Sequence, residues 1–260
     1  MGIIGTNTRV CVFSAIADLA ELPQDLREEL NKICQLRSVE KGQIIAHPGE
    51  VSDLVGFVSD GILRMQKTLP DGRQHVVGLL VPGDVFGRVF DGAMQFSIEA
   101  ATDARIFLFP RPAFEALLSA SPELDRLMLL HFLNEIDRTR DWMVILSNPK
   151  VRGRLAGFLL MLCTRFRNID GMLGSMNGML TISIPISRAD LAHLLGARAE
   201  SISRAFHALA DDGIIDIIRP DLIVLRNIED LADEAGEPEM GEAILTDEFP
   251  IGSIGSIRRQ

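Results

Sequence analysis

The sequence predicts an α+β protein made of an N-terminal small antiparallel β-sandwich or barrel, a long central helix and a C-terminal helical domain with a short β-hairpin. Three observations lead to this prediction. Between Ser38 and Pro110, runs rich in Val, Ile, Leu and Phe are broken by Gly, Asp and Pro at intervals of roughly eight to twelve residues, as in small antiparallel barrels. From Ser121 to Leu146, a Ser-Pro start is followed by a segment without Gly or Pro. From Ser187 to Ile215, apolar residues recur at helical spacing on both sides of Gly196.

The N-terminal part contains a predicted helix and a predicted hairpin. A Pro-started, Glu-rich amphipathic helix is predicted from Leu22 to Leu36. The strand-like runs LRMQKT and HVVGLLV flank LPDGRQ, which predicts a hairpin with Asp71-Gly72 at its tip. Residues 17–118 are therefore assigned to the domain that contains the β-sandwich or barrel.

The long helix is the second part, assigned to residues 119–147. A rise of about 1.5 Å per residue gives it a length of about 40 Å, which is too long for a lid on a small barrel. A helix of this length usually buries itself against something, and a second copy of itself is the most economical partner. We therefore predict a dimerisation helix; the alternative is a connector that bridges solvent between two domains.

The third part begins at Asn148-Pro149 and is assigned to residues 148–227. Its first predicted element is an apolar helix from Val151 to Phe166, followed by a Gly-, Met- and Asn-rich hairpin loop over 168–178 and the strand LTISIPI. Near its end, IIDIIRP and DLIVLRN are two β runs joined at Pro220-Asp221, which predicts a hairpin.

Between these elements lies the segment that points most directly to a function. Two apolar faces are predicted on two short helices, one made of Leu191, Leu194 and Leu195 and the other of Ile202, Ala205, Phe206 and Leu209. Ser187 and Asp190 have the spacing of a helix N-cap, and Gly196 is suited to the left-handed conformation that ends a first helix. This pattern predicts a helix-turn-helix whose second helix begins near Arg198 and enters the DNA major groove. The hairpin after it is then a wing that lies along the DNA backbone.

The side chains predicted to contact DNA have the chemistry that base recognition needs. They are Arg198, Glu200, Ser201, Ser203 and Arg204 on the second helix, with Ser187 and Arg188 at the start of the first. Arg204 can donate twice to a guanine, Glu200 can accept from a cytosine amino group, and Ser203 can contact a thymine methyl group. The alternative is an ordinary helical hairpin in which Glu200 and Arg204 form a solvated ion pair one turn apart.

Composition and charge restrict the classes of protein that remain. With 47% hydrophobic and 24% charged residues the chain is globular, and the three cysteines, without a CxxC pair, fit a reducing cytoplasm. No membrane span or signal sequence is predicted. The net charge of −10 is unusual for a DNA-binding protein, but residues 148–227 carry ten Lys/Arg against seven Asp/Glu, a net +3. Residues 228–260 carry two against nine and are interpreted as a mostly disordered acidic tail.

In its organisation the chain resembles the Crp/Fnr family of bacterial transcription regulators. The resemblance rests on KGQIIAHPGEVSDLVGFVSDGILRM and VPGDVFG in the β-roll and on PISRADLAHLLGARAESISRAFHALADDGII in the C-terminal domain. It implies a cupin-like β-roll (jelly roll), a dimerisation helix and a C-terminal winged helix-turn-helix. It also implies a homodimer that binds double-stranded DNA and acts with RNA polymerase. Glu200, Ser203 and Arg204 match the E-x-x-S-R pattern of the Fnr branch, which implies a TTGAT-N4-ATCAA-like palindrome and control of genes related to oxygen or nitrogen oxides.

Two departures from the family bear on the effector. Cyclic-AMP-binding members have a Glu where this chain has Arg88, and a phosphate-binding Arg where it has Phe96-Ser97. Oxygen-sensing Fnr proteins hold a [4Fe–4S] cluster on four cysteines, and this chain has only three, Cys11, Cys34 and Cys163. Neither cyclic AMP nor an iron–sulfur cluster is therefore expected.

Three interpretations of the effector stay open. One is haem, with His47, His75 or His131 as a candidate axial ligand. Another is oxidation of Cys163, although a buried cysteine is usually inert. The third, which we favour, is no cofactor or ligand at all, as in the FixK-like branch.

Other classes of protein are less well supported. A cupin enzyme needs a metal-binding set of His and Glu, but the only β-roll histidines are His47 and His75, and the chain has no GxSxG, Walker or dinucleotide motif. We therefore expect no enzymatic activity. A cupin-like protein-interaction module is the remaining alternative, and it would not need the E-x-x-S-R pattern.

Overall fold

The computed structural model describes residues 17–69, 74–90, 92–167, 169, 171–239, 241 and 244. The chain divides into two compact units, Met1–Arg140 and Asp141–Gln260. The point of division lies inside the long helix. The predicted domain boundary at Asn148-Pro149 stays a prediction.

The first unit contains an antiparallel β-roll of two four-stranded sheets, as predicted. Its strands are β1 (Gln35–Val39), β2 (Ile44–Ala46), β3 (Leu54–Asp60), β4 (Leu63–Thr68), β5 (Gln74–Leu80), β6 (Val85–Gly87), β7 (Ser97–Ala100) and β8 (Ala104–Pro110). One sheet has the order β1-β8-β3-β6 and the other β2-β7-β4-β5. The predicted β4–β5 hairpin is present, while its tip at Asp71-Gly72 lies outside the described residues.

Strand β8 shows how the sequence positions the core of this unit. Its alternate residues Ile106 and Leu108 join a core between the two sheets, and Phe107 and Phe109 join a second core on the other face of the strand. Because neighbouring side chains of a strand point to opposite faces, one continuous apolar run serves both cores. Helices cover the second core.

Among the described residues of the first unit, four helices begin. They are α1 (Ala17–Ala20), α2 (Gln24–Ile33), α3 (Arg111–Ala120) and α4 (Pro122–Ser147). The predicted helix from Leu22 to Leu36 is shorter than expected, because Cys34 is already extended and Gln35 begins β1. The predicted long helix is confirmed as α4.

The described part of the second unit contains a small sheet and four further helices. Its elements are α5 (Val151–Arg165), β9 (Leu173–Met176), β10 (Met179–Ser183), α6 (Arg188–Leu194), α7 (Ala199–Asp211), β11 (Ile215–Arg219), β12 (Leu222–Leu225) and α8 (Ile228–Ala235). The sheet order is β11-β12-β10-β9. The hairpin predicted around Pro220-Asp221 is confirmed as β11–β12.

Two parts of the sequence prediction for this unit are wrong. The segment 168–178 is not a loop throughout, because Leu173–Met176 pairs with β10 across a turn in which Asn177 and Gly178 both have positive φ. The segment after 227 is not a tail from its first residue, because Ile228–Ala235 is the helix α8. It buries Leu231 and Ala232 and packs against α5. The sequence prediction missed this helix because the many acidic residues of the segment were interpreted as a sign of disorder.

Among the described residues, no helix combines the length and the hydropathy that crossing a membrane requires.

Candidate nucleic-acid interface

The geometry of α6, α7 and the turn between them follows the sequence signals closely. Ser187 is the N-cap of α6: its Oγ accepts a hydrogen bond from the Asp190 amide at 3.1 Å and donates one to Asp190 Oδ2 at 2.8 Å. Gly196 has φ +59°, so it supplies the left-handed conformation that the turn requires. Arg198 is the N-cap of α7 and its backbone is extended. The predicted helix-turn-helix is therefore confirmed in its local structure.

Helix α7 is held in place by one apolar face. Ile202, Ala205, Phe206 and Leu209 are at most 5% exposed, and the helix packs against α5, α6 and β11. This fixes which residues face solvent. Arg198, Glu200, Ser203 and Arg204 are exposed, and Ser201 is half-buried.

The exposed polar side chains of α7 are almost free of partners within the protein. Within the described part of the chain, Glu200 and Ser203 form no side-chain hydrogen bond or ion pair, and Arg204 has only a 3.4 Å contact from Nη2 to Ser201 Oγ. The Glu200–Arg204 ion pair expected of an ordinary helical hairpin is not formed. Both charges are therefore available to an external ligand.

Arg188 differs from the other predicted DNA contacts. Its guanidinium lies over the Phe206 ring, 3.1 Å from the ring centroid, so it ties α6 to α7. Burial lowers the pKa of Arg188 to about 10, and the charge of Asp221 acts in the opposite direction. The structure thus gives Arg188 a packing role, while Ser187 uses its hydroxyl as a helix cap.

Two arginines of α5 reach the helix-turn-helix and were missed in the sequence. Arg152 pairs with Asp212, the C-cap of α7, at 2.5 Å and with Glu234 of α8 at 3.1 Å. Arg154 reaches the turn itself, because its Nη1 lies 3.7 Å from the point where a Cβ on Gly196 would stand. Their partners are distant in sequence, so no local pattern could have indicated these contacts.

The wing carries charges of both signs. Arg219 pairs with Asp221 at 3.3 Å, and Arg226 pairs with Asp216 at 2.5 Å. Because each arginine has a carboxylate partner, the wing offers little net positive charge to a phosphate backbone. Its predicted position along DNA stays a prediction.

The interior of the β-roll has a different character. Met94 and Phe86, each 7% exposed, lie in the core between the two sheets, with Met65 packed against it. The Phe86 ring fills the space beside Gly56, where an added Cβ would stand 2.1 Å from the ring. Arg88, which follows this strand, is exposed. Large apolar side chains therefore occupy the centre of the β-roll.

Of the histidines and cysteines considered for an effector, Cys11 lies outside the described residues, and the structure places the others. His131 is 9% exposed, and its Nε2 accepts a hydrogen bond from the Val85 amide at 3.2 Å. Burial raises the pKa of both Cys34 and Cys163 to about 12. No cluster of three or more metal-ligating side chains occurs in the part of the chain that the structure describes.

A β-roll followed by a helix-turn-helix with a solvent-facing second helix and a wing defines a DNA-binding regulator. Comparison with known proteins supports this class, because residues 36–121 match the family model "Cyclic nucleotide-binding domain" and residues 153–234 match "Crp-like helix-turn-helix domain". The chain is 31% identical to the transcriptional activator protein FnrL of Cereibacter sphaeroides over 82% of its own length and 85% of the relative. It is 32% identical to the nitrogen fixation regulation protein FixK of Bradyrhizobium diazoefficiens, over 71% of this chain and 75% of that protein.

A solved structure gives the same result. The structure of FixK2 from Bradyrhizobium japonicum matches with a TM-score of 0.67 and 28% identity, over 77% of this chain and 96% of FixK2. The chain belongs to the Crp/Fnr family of transcription regulators, and its relatives support a place in the Fnr/FixK branch.

Proposed function

We propose that this regulator is a homodimer that binds a TTGAT-N4-ATCAA-like palindrome and acts as an activator with RNA polymerase in the cytoplasm. The single observation that carries the proposal is the exposed set Glu200, Ser203 and Arg204 on one side of α7, which forms no ion pair among the described residues. In each half-site, Arg204 donates to the guanine, Glu200 accepts from the cytosine paired with it, and Ser203 contacts the neighbouring thymine. Arg198 lies at the N-terminus of α7, where a backbone phosphate is a favourable partner.

The exposed face of α4 supports the homodimer. Seven large apolar residues of this helix are between 47% and 64% exposed: Leu129, Leu130, Phe132, Leu133, Ile136, Met143 and Val144. Leu129, Leu133 and Ile136 follow one another at intervals of four and three residues, the spacing that packs one helix against another. The opposite face is already occupied, since Leu124 and Met128 are buried. A second copy of α4 would cover this apolar stripe.

The effector proposal is that the protein binds DNA without cyclic AMP and without a [4Fe–4S] cluster. Met94 and Phe86 lie in the core inside the β-roll, and Arg88 is exposed. We further propose that the activity of the regulator depends on its amount and that it acts on genes related to oxygen or nitrogen oxides; the similarity to proteins named FixK supports a place in that branch. The second candidate is a haem- and nitric-oxide-responsive regulator, favoured only by the burial of His131 beside β6.

The test of DNA recognition is fluorescence anisotropy with a labelled TTGAT-N4-ATCAA duplex and a scrambled duplex, in air, without added ligand, at two salt concentrations. A preference of about tenfold or more for the palindrome supports the proposal, because specific binding exceeds non-specific binding by at least this factor. Equal, salt-sensitive binding to both duplexes contradicts the assigned half-site. The titration is then repeated anaerobically with haem and nitric oxide.

The test of the dimer uses two variants of α4 followed by sedimentation velocity. Leu133→Glu places a charge within the apolar stripe and is expected to give monomers, since an unpaired charge is costly in an apolar interface. Asn134→Glu is the matched control, because the next residue points about 100° away around the helix. A Leu133→Glu protein that sediments as a dimer would show that the stripe is not the interface.

A further inference from the structure

Helix α4 has two faces, each of which repeats every seven residues. The inner face contains Leu124, His131 and Ile145, which are buried. It also contains Arg138, which binds Asp84, the residue before β6, at 3.2 Å. The outer face is the apolar stripe, and its central residues follow one another at intervals of four, three and seven: Leu129, Leu133, Ile136 and Met143. A seven-residue repeat is the pattern by which two helices pack along their length.

Arg140 interrupts the apolar stripe. It lies four residues after Ile136 and three before Met143, where the repeat calls for an apolar side chain. Arg138 is two positions earlier, which corresponds to about 200° around the helix, so the two arginines face opposite sides. The Arg140 side chain is 71% exposed, and its Nη1 binds Asp137 Oδ1 of the same helix at 2.7 Å. The positive charge of Arg140 therefore lies within the surface that a second copy of α4 would cover.

We infer that Arg140 sets the strength of the dimer: the guanidinium groups of two copies meet at the apolar stripe and oppose association, while Asp137 on each helix limits this opposition. The inference rests on the proposed function, because it requires the apolar stripe to be the dimer interface. It adds a form of regulation to that function. A weakened dimer assembles only as the concentration of the protein rises, so DNA binding depends on the amount of the protein.

The two copies of α4 run in parallel in this dimer. A palindrome requires both DNA-binding domains at the same end of the dimer, so equal positions of the two helices face each other. Each Arg140 then lies opposite the same residue of the partner subunit. The charges fit a second copy of the chain, because each copy brings Arg140 and Asp137 and this set is neutral. A lipid surface requires an excess of Lys and Arg, whereas residues 129–144 contain three acidic and two basic side chains.

The free energy of association contains opposing contributions at Arg140. Covering a guanidinium removes water from a charged group, and two like charges approach each other in surroundings of low dielectric constant. The stem of Arg140 carries its charge to the rim of the interface, where the Asp137 carboxylate partly neutralises it. Arg140→Leu removes the charge and adds apolar area to the interface, so it should tighten the dimer. Asp137→Asn leaves the guanidinium without its partner, so it should weaken the dimer.

The experiment is sedimentation velocity of the full chain over a range of protein concentrations, for wild type, Arg140→Leu, Asp137→Asn and the double variant. Arg140→Leu should lower the dissociation constant of the dimer about tenfold or more, and Asp137→Asn should raise it about threefold. The double variant should behave as Arg140→Leu, because Asp137 acts through Arg140. Asn134→Leu adds the same apolar side chain at an exposed position outside the stripe, so it is the matched control and should leave the dissociation constant unchanged.

Salt provides a readout that a purely structural role would not change. An increase from about 0.05 to about 0.5 M NaCl shortens the Debye length from about 14 Å to about 4 Å, so it screens the repulsion between the two guanidinium groups. Wild type should therefore dimerise about threefold more tightly at high salt, Asp137→Asn should respond more strongly, and Arg140→Leu should respond least. The protein concentration that half-saturates the palindromic duplex should be lower for Arg140→Leu than for wild type.

The outcomes separate this inference from the proposed dimer. If Leu133→Glu gives monomers but Arg140→Leu keeps or raises the wild-type dissociation constant, the role of Arg140 is wrong and the interface stands. If Leu133→Glu still sediments as a dimer, the interface is wrong and the inference falls with it. A wild-type dimer that stays intact down to about 1 nM also contradicts the inference. Equal far-ultraviolet circular dichroism of all variants shows that they are folded.

Discussion

The interior of the β-roll and the exposed face of α7 use their side chains in opposite ways. In the β-roll, the side chains of Phe86 and Met94 are buried in one cluster of apolar residues. On α7, Glu200 and Ser203 are turned outward and have no partner among the described residues. The first region lies in the part of the chain that matches the cyclic nucleotide-binding domain, and the second lies in the part that matches the Crp-like helix-turn-helix domain. Only the second presents uncompensated polar groups to a ligand.

Folding as a β-roll and having a ligand-binding site are therefore two separate properties. A β-roll needs alternating apolar residues and correct turns, and these are retained even where large side chains fill its centre. A binding site needs polar groups that the fold itself does not use. In this protein, Phe86 and Met94 are buried in the first region, while the second presents exposed polar groups, so substitutions in the two regions should affect different measurements.

The largest expected effect is on stability, in the β-roll. Phe86→Ala removes a ring that is 7% exposed and leaves a cavity beside Gly56, so the free energy of unfolding should fall by about 3–5 kcal/mol. The matched control is Phe90→Ala, four residues further on, where the ring is 56% exposed and the change should be within about 0.5 kcal/mol. Urea unfolding followed by circular dichroism measures both. Equal losses for the two variants would contradict the packing described for Phe86.

The next largest effect is on recognition, without a loss of stability. Arg204→Ala should weaken binding to the palindrome by about 1–3 kcal/mol and abolish discrimination at the guanine, with no change in thermal unfolding. Arg105→Ala, an exposed arginine of the β-roll, is the control and should leave binding unchanged. Wild-type affinity of the Arg204→Ala protein for the palindrome would contradict the base contact assigned to Arg204.

A smaller effect is expected where folding and recognition meet, at the start of α6. Ser187→Ala deletes the hydroxyl that accepts a hydrogen bond from the Asp190 amide. This substitution should lower the free energy of unfolding by about 1 kcal/mol. Ser187→Thr keeps a capping hydroxyl and should recover most of this loss. If Ser187→Ala instead reduces DNA affinity at unchanged stability, then Ser187 acts mainly as a direct DNA contact, as its place among the predicted contacts would suggest.

The smallest effect is expected at Cys163, in the core of the second unit. Burial raises the pKa of its thiol to about 12 from an ordinary value of 9.0, so at pH 8 the folded protein holds almost no reactive thiolate. Iodoacetamide should not label Cys163 until urea unfolds the chain, and diamide should not alter DNA affinity. Because the folded state binds the thiol proton more tightly, this group makes stability decrease as pH rises above 9. Rapid labelling of folded protein would favour a redox sensor.

Much of the fold and most of the candidate site were predictable from sequence, because the determinants are close together along the chain. The period of apolar residues changes from two to about 3.6 after Pro110, which marks the end of the β-roll. Ser187 and Gly196 bracket α6, and Glu200, Ser203 and Arg204 stand within two turns of one helix. Each of these signals depends only on residues that are a few positions apart in the sequence.

The errors occurred where distant residues decide the outcome. The sequence alone determined that α6 and α7 form a helix-turn-helix and which polar side chains α7 carries, since capping, turn conformation and helical period are local properties. Only the tertiary structure decided that Arg188 stacks on Phe206, that Arg152 joins Asp212 to Glu234, and that α8 is a packed helix and not a tail. It also decided that Phe86 fills the space above Gly56. These contacts join residues that are far apart in the chain, and their energies arise from burial and charge pairing that exist only once the domain has folded.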